Sequence, residues 1–486
     1  MAPGSTSVPL CVDLDGTLIF SDLLYESLAG LMGQKPWLLP LVPWWMLRGR
    51  AALKERLAQA VDLDPASLPY HRELIEWLRE EKRSGRTLVL ATGSDQRLAR
   101  RVAEHLGIFD DVVASDGVRN LKAGVKLERL EKLIGGPFDY VGNGRADLPV
   151  WRKCRRAIMS NASAALVERT RAEATVERVF PGPEGAPRGG LAAVVRCLRP
   201  QQWMKNLLVF VPLVASHRLL DSASLVKTAE AFAAFCLCAS AVYVVNDMVD
   251  LPADRLHPTK RNRPFASGSL SLAAGLALAP AAGLLSLAVA SLLPPLSTAV
   301  LTAYFLLSTA YSLWLKRKAL VDVFTLASLY TFRLLMGHVA AAVPFSPWLL
   351  SFSFFVFLSL AYSKRAAELH RVRQQGGGPA PGREYRDSDL ELVTLFGAAS
   401  GFAASLVLTM YLSSERVLEL YRRPMLLWLL FPLVLYWVTR IWVLVHRGQM
   451  SEDPIDFALR DRVTWALAGL GAAILLLATR PPGWLP

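Results

Sequence analysis

Five stretches without a single charged side chain dominate this 486-residue chain: 264–315, 334–363, 392–414, 424–439 and 463–479. A helix that crosses a bilayer needs roughly 20 predominantly apolar residues, and each stretch reaches or approaches that length. A wholly soluble enzyme and a disordered chain are both excluded. The charge is unevenly placed. Residues 1–200 carry 29 Lys/Arg and 24 Asp/Glu, and residues 201–486 carry 25 and 17, so the first part reads as ordinary soluble protein and the second does not. The net charge of +13 is then explained by cytoplasmic loops and anionic partners rather than by nucleic acid.

The segment PGPEGAPRGG at 181–190 is the clearest boundary, with a soluble domain over 1–160, a linker and connecting helix over 161–195 and a membrane domain over 196–486. Nine spans are expected, at about 206–220, 228–247, 270–293, 296–315, 320–343, 347–364, 391–413, 424–445 and 463–480. The loops at 248–264, 316–319, 365–390 and 446–462 hold 4, 3, 5 and 3 Lys/Arg, and the opposite set holds 1, 0, 0 and 3. The positive-inside rule therefore puts the first set and the soluble domain on the cytoplasmic face of the cell (inner) membrane, with the C-terminus outside. The start, MAPGSTSVPLCVDLDG, lacks a basic region leading into an apolar core, so no cleaved signal is expected. The five cysteines, at 11, 154, 197, 236 and 238, show neither a disulfide nor a metal pattern and read as reduced thiols.

In the soluble part, strands at 8–14, 86–91, 112–114 and 138–141 alternate with helices at 51–61, 71–82, 96–106 and 126–133, which predicts a parallel, doubly wound α/β sheet. PWLLPLVPWWML at 36–47 is too short to span a membrane; it is expected as a buried cap helix, with an interfacial segment as the alternative. Directly after the first strand comes Asp13-Leu14-Asp15-Gly16-Thr17-Leu18. Two carboxylates one residue apart can divide phosphoryl chemistry, one attacking phosphorus and the other protonating the leaving oxygen. Residues 8–158 resemble the haloacid-dehalogenase (HAD) phosphatase superfamily. The resemblance implies Asp13 as nucleophile, Asp15 as general acid/base, Thr92 of ATGSD as phosphoryl binder, and Lys126, with Lys122 as rival, as the charge-neutralising lysine. It also implies Mg²⁺ at Asp13, Asp15 and a last acidic motif. That motif departs from pattern, because Gly142-Asn143-Gly144-Arg145-Ala146-Asp147 stands where GDxxxD is usual, leaving the Asn143 amide oxygen and Asp147 as ligands.

In the membrane part, Asn246, Asp250 and Asp254 fall at i, i+4 and i+8, on one helical stripe whose end Pro252 can distort. Oxygen ligands at a membrane helix end suit Mg²⁺, and Mg²⁺ suits a diphosphate. Lys260, Arg261 and Arg263 of HPTKRNRP follow, placed to neutralise phosphate oxygens. This motif, with nine spans, resembles the UbiA superfamily of intramembrane prenyltransferases over about 196–480. RPQQWMKN at 199–206, DRLHPTKRNRP at 254–264, YSKR at 362–365 with Glu368, and HRG at 446–448 through Asp453-Pro454 to RDR at 460–462 resemble its polyprenyl-phosphate phosphoribosyltransferase branch. The resemblance implies transfer of 5-phosphoribosyl from phosphoribosyl pyrophosphate (PRPP) to a polyprenyl phosphate. Lys205, Arg255, Lys260, Arg261, Arg263, Lys364 and Arg365 would clamp substrate phosphates, with Arg447 and Asp453 as secondary candidates. The expected partners are these two substrates and the bilayer, with a homo-oligomer left open and nucleic acid excluded.

Arg333, well inside the fifth span, should face a cavity or pair with an acid. Asp322 is read as a helix-end charge, with distant helper to Arg333 or second metal ligand as alternatives. Asp387 and Glu391 are read as a solvated helix start. The two halves together suggest that the soluble domain removes the 5-phosphate of the lipid-linked product, a precursor of cell-wall arabinan. Two alternatives remain: an aromatic prenyltransferase using a prenyl diphosphate donor beside a degenerate or regulatory HAD domain, and a sensor module on a transporter-like bundle.

Overall fold

A computed structural model describes residues 8–117, 121, 123–182, 190–380, 382–450, 457–458 and 460–479. The soluble part contains β1 (Leu10–Val12), α1 (Leu23–Gln34), α2 (Val42–Leu47), α3 (Arg50–Ala60), α4 (Arg72–Arg83), β2 (Leu88–Asp95), α5 (Gln96–Leu106), β3 (Asp111–Ser115), α6 (Gly124–Ile134), β4 (Asp139–Gly142), α7 (Leu148–Trp151), β5 (Ala157–Ser160), α8 (Ala164–Glu173) and β6 (Val176–Phe180). There follow α9 (Leu191–Leu198), α10 (Val211–Ala215), α11 (Ser222–Val249), α12 (Leu251–Leu256), α13 (Leu272–Ala290), α14 (Pro295–Leu313), α15 (Val321–Ala340), α16 (Pro347–Gln374), α17 (Leu390–Leu412), α18 (Glu415–Leu420), α19 (Leu430–His446) and α20 (Arg462–Thr479). The chain divides into two compact units, Met1–Leu198 with Tyr243–Ala279, and Arg199–Val242 with Pro280–Pro486.

In the first unit six parallel strands run in the order β3-β2-β1-β4-β5-β6, with Leu10 paired to both Leu88 and Asp139. Strand side chains alternate between faces. Leu10 and Val12 accordingly enter one apolar layer with α1, α3, α4 and α5, while Cys11 enters the other with α6, α7 and α8. The strand order reverses direction between β1 and β4, and the carboxyl ends of strands at such a switch point form the ligand crevice of an open α/β sheet. The sheet continues to Phe180, twenty residues past the expected end of the domain. Strand β6 lies at the sheet's edge and exposes most of its side chains, so its sequence lacks an apolar run. A further cluster of this unit joins Ala29 and Met32 of α1, Ala193 and Cys197 of α9, and Val244 and Met248 at the end of α11.

The expected buried cap helix at 36–47 is corrected. Pro36–Leu41 form a 3-10 turn and only Val42–Leu47 are α-helical, because Pro36, Pro40 and Pro43 prevent one continuous helix. Much of the segment's apolar surface is exposed.

The second unit is helical. Among the described residues, seven helices are long and apolar enough to cross a membrane, rather than the nine expected. Two expected spans account for the difference. Residues 206–220 divide into a 3-10 helix, Pro200–Phe210, and the five-residue α10, which stops near His217 at φ 55°. Residues 347–364 open α16, whose second half carries Lys364, Arg365, Glu368, Arg371 and Arg373. Close helix approach depends on small residues, as in membrane bundles generally. A Cβ on Gly397 would lie 2.2 Å from the Trp442 ring, and one on Gly337 would lie 2.1 Å from the Val209 carbonyl oxygen. All five cysteines are free thiols.

Candidate active sites

At the end of β1 the main chain of Asp13 is tied to β4 by Asp13 N donating to Val141 O (2.9 Å). This fixes the buried Asp13 carboxylate at the switch point. Lys126 Nζ donates to Asp13 Oδ1 (2.8 Å) and to Tyr140 Oη (2.8 Å), and Tyr140 Oη donates to Asp147 Oδ1 (2.9 Å). Asp15 turns the other way. Its Oδ1 accepts the Leu23 N–H (2.9 Å) at the start of α1, and its Oδ2 accepts hydroxyl bonds from Ser94 (2.6 Å) and Thr92 (3.3 Å). Burial pushes the Asp13 carboxyl up to about 7 against the pull of Lys126, and burial together with Asp22 pushes Asp15 up to about 6. Burial works against the charge of Lys126, yet Asp13 and Asp147 hold its ammonium above the ordinary lysine range. An acid near 6 suits proton transfer at neutral pH. Lys122 lies outside the described residues.

The donors fit a hard, oxygen-liganded cation such as Mg²⁺ only in reduced form. Asp13 Oδ2 receives one long bond, from Thr17 Oγ1 (3.4 Å). Asn143 packs on the DxDG turn, where Gly16 has φ +73° and a Cβ would meet Asn143 Nδ2 at 2.1 Å. Asp147 is otherwise engaged: Oδ2 accepts the Asn143 and Gly144 amides (3.1 and 3.0 Å) and Oδ1 accepts Tyr140. Its geometry is that of a residue orienting Lys126 and the Asn143 loop. Among the described residues no three His, Cys, Asp or Glu side chains gather as a metal site. Asp13 and the neutral Asn143 amide thus remain the side-chain donors.

The second group of polar residues lies where α11 meets α12. Main-chain bonds continue across the junction, Asp250 N to Asn246 O and Asp254 N to Asp250 O (both 2.9 Å), so the i, i+4, i+8 stripe survives Pro252. The side chains divide into two sets. Asn246 Nδ2 donates to Asp250 Oδ2 (3.0 Å), while Arg263 Nη1 bridges Asp254 Oδ2 (2.5 Å) and Asp247 Oδ1 (3.1 Å). Burial holds the Asp254 carboxyl above its ordinary range; Arg263 opposes the rise and Asp247 and Asp250 add to it. These carboxylates are near enough to act on one another's charge, yet they are among the described residues in which no three such side chains gather as a metal site. Lys260 is half-buried and Arg261 exposed beside them.

Arg255 is engaged within the protein. It was expected to hold substrate, yet its guanidinium grips Glu26 of α1 through both oxygens (2.6 and 3.2 Å) and donates to Ser67 O (3.1 Å). Both partners are nearly buried. One rigid helix therefore contacts Asp15 at its first residue and, through Glu26, the residue after Asp254.

In the second unit Arg365, expected as a substrate clamp, stands in an internal ion pair. It is 1% exposed, with Nε 2.6 Å from Asp322 Oδ2 and Nη1 paired to Glu368. Asp322, read as a helix-end charge, is fully buried and also accepts from Tyr385 Oη (2.8 Å). Arg333 donates to Asn206 Oδ1 (2.8 Å), Leu329 O (2.5 Å) and Tyr304 Oη (3.1 Å), and lies over the Tyr330 ring at 5.1 Å. Lys205 and Lys364 are half-buried, Glu391 and Arg447 exposed, and Asp387 opens the turn before α17. Asp453 lies outside the described residues.

Sequence reasoning missed Glu26, Lys54, Ser94, Tyr140 and Asp247. Ser94 and Asp247 stand inside quoted motifs and were recoverable. Lys54, whose Nζ donates to Gly93 O (2.5 Å), and Glu26 act across long chain separations and leave no local signal.

An α/β domain bearing a DxDG phosphoryl site and an apolar helical bundle bearing an acidic helix end define an integral membrane enzyme with a hydrolase-like domain. The UbiA prenyltransferase family matches residues 208–467, and haloacid dehalogenase-like hydrolase matches residues 10–152. The chain belongs to the UbiA prenyltransferase family and carries a HAD domain at its amino-terminal end. It is 38% identical to the uncharacterized protein y4nM of Sinorhizobium fredii over 97% of this chain and 91% of that one. It is 36% identical to the decaprenyl-phosphate phosphoribosyltransferase of Mycobacterium tuberculosis over 58% of this chain and 92% of that one. The structure of a UbiA homolog from Archaeoglobus fulgidus bound to GPP and Mg²⁺ is 15% identical, with a TM-score of 0.46 over 58% of this chain and 99% of that chain.

Proposed function

We propose that the membrane domain transfers 5-phosphoribosyl from PRPP to a polyprenyl phosphate and that the HAD domain then removes the 5-phosphate. The reading is carried by the acidic helix end, where Arg263 bridges Asp247 and Asp254 and Asn246 donates to Asp250, in a chain 36% identical to a decaprenyl-phosphate phosphoribosyltransferase across nearly that protein's whole length. The bond from ribose C1 to pyrophosphate breaks with its electron pair leaving on pyrophosphate, and a lipid phosphate oxygen supplies the pair that re-forms a bond at C1. Mg²⁺, for which Asn246, Asp250 and Asp254 are the ligands proposed, supplies charge neutralisation to the departing diphosphate. Lys260 and Arg261 add fixed positive charge there, the electrostatic contribution that dominates such transfers. Arg263 shifts from neutralising Asp247 and Asp254 toward phosphate oxygens as substrate enters.

In the second step an Asp13 oxygen attacks the 5-phosphate and forms an aspartyl-phosphate, and Asp15 protonates the leaving ribose oxygen. Asp15 then takes a proton from the water that releases phosphate. Lys126 neutralises the gathering charge while Thr92 and Ser94 orient Asp15. The soluble domain works on the cytoplasmic face of the inner membrane, where PRPP is present. The test is the purified protein with PRPP, Mg²⁺ and polyprenyl phosphate: pyrophosphate appears in the parent and in Asp13→Asn, and inorganic phosphate in the parent alone. Equal phosphate release from Asp13→Asn would overturn the second step, and isoprenoid transfer to an aromatic acid the first.

A further inference from the structure

Between α1 and α3 the chain presents a set of large apolar side chains to the outside: Trp37 (64% exposed), Leu41 (45%), Trp44 (57%), Met46 (61%) and Leu47 (82%). Lys35 precedes this charge-free segment and exposed Arg48 and Arg50 follow it, with the Arg48 guanidinium 5.4 Å above the Trp44 ring. The remaining side chains anchor it, since Leu38, Leu39, Val42 and Trp45 pack against the core of the sheet's α1 face. Leu39 also packs against the cluster containing Val244 and Met248, at the end of spanning helix α11, and Gly33 of α1 is so close to Val249 that a Cβ would touch it. Helix α9 repeats the pattern, with Ala193 and Cys197 buried in the same cluster and Leu191 and Val195 exposed.

We propose that the 36–47 segment docks on the bilayer surface. The occupant follows from continuity and charge. The segment hangs from the end of a membrane-spanning helix, it is too short to cross, its tryptophans are of the type enriched at the headgroup level, and its flanking arginines suit anionic headgroups. Soluble proteins rarely expose a contiguous apolar patch of this kind without a partner. Helix α3 follows directly, and its Lys54 reaches Gly93 O beside Thr92. Docking therefore sets α3, and with it the Lys54 side of the HAD site, near lipid. Resting on the phosphatase reading, the substrate class is a phosphate monoester carried on a membrane lipid and delivered laterally.

The test uses the full chain in nanodiscs of phosphatidylcholine and phosphatidylglycerol, spin-labelled at Leu47→Cys or, as a control, at exposed Glu104→Cys. Four native cysteines are buried and Cys154 is half-buried, which favours selective labelling. The Leu47 label should collide with oxygen in preference to a water-soluble nickel chelate, and the Glu104 label the reverse. A Leu47 label as accessible to nickel as the control overturns the docking, as does one shielded from both with dipolar broadening from a second copy. In the double variant Trp44→Ser/Leu47→Ser, dephosphorylation of the lipid-linked substrate should fall about tenfold while p-nitrophenyl phosphate hydrolysis holds. A lipid-facing Leu47 label with no hydrolysis of either substrate in the parent supports the docking and removes the phosphatase reading alone.

Discussion

The two carboxylate sites handle their charge in different ways. At the end of β1, Asp13 is neutralised in advance by a buried lysine, and Asp147, Tyr140, Thr92 and Ser94 fix every neighbour in place. At the end of α11, Asp247 and Asp254 are buried and share Arg263, while the half-buried Asp250 accepts from Asn246. A preorganised site suits repeated chemistry on one phosphoryl group, because the dipoles need no rearrangement as charge develops. A site in which two buried carboxylates share one arginine suits a cation that arrives with its diphosphate. The comparison breaks if the two sites respond alike to loss of one carboxylate.

The largest expected effect is at the preorganised site. Asp13→Asn should lower phosphate release by about 10⁴-fold or more, as expected for a lost nucleophile, while pyrophosphate release continues and lipid-linked phosphoribose accumulates on mass spectra. Next, Asp250→Ala should lower pyrophosphate release by about 10²–10³-fold and leave p-nitrophenyl phosphate hydrolysis intact. Ribosylated lipid formed at the parent rate would remove Asp250 from the chemistry.

A smaller effect sharpens how far the sites are independent. Glu26→Gln leaves Arg255 buried beside a neutral partner and loosens the end of α12. Transfer should fall about tenfold, in line with small displacements of catalytic groups, with the loss in kcat rather than in the KM for PRPP. Hydrolysis of a soluble phosphate ester should change little, because Leu23 N still holds Asp15. Unchanged transfer would make the Glu26–Arg255 pair a purely structural clasp.

Much of this was legible in the sequence because it is local. The DxDG turn, the ATGSD strand end and the 246–254 stripe all lie within a few residues, and each falls at the element end that its pattern predicts. Long charge-free runs gave the membrane bundle for the same reason. What escaped depends on distance or on context. The motifs around Arg255 and Arg365 do not show the partners that hold them in buried pairs, Glu26, 229 residues away, and Asp322, 43 residues away. The segment 36–47 reads as core by composition, and only its three prolines and its outward tryptophans show otherwise. Residues 206–220 are apolar enough for a span, yet Pro200 and Pro212 shape them into a 3-10 helix and one short turn.

The smallest effect is a stability change that tests whether the preorganised site is strained. With its folded pKa near 7, above the unfolded value of roughly 3.9, ionisation of Asp13 costs the folded domain free energy. The stabilising contribution of its protonated form is full below about pH 4 and is lost as the pH rises through 7. Asp13→Asn removes that titration, and Lys126 keeps Asp147 at 3.6 Å, so the variant does not orphan the ammonium. In EDTA at pH 8 the HAD domain of the variant should therefore melt higher than the parent, by about 2–4 °C for each kcal/mol relieved, and the gap should close near pH 4. Added Mg²⁺ should narrow the gap at pH 8 by stabilising the parent. A variant that melts lower at pH 8 would mean that the Lys126–Asp13 pair is net stabilising there, and that this site is held together by the same charges that do its chemistry.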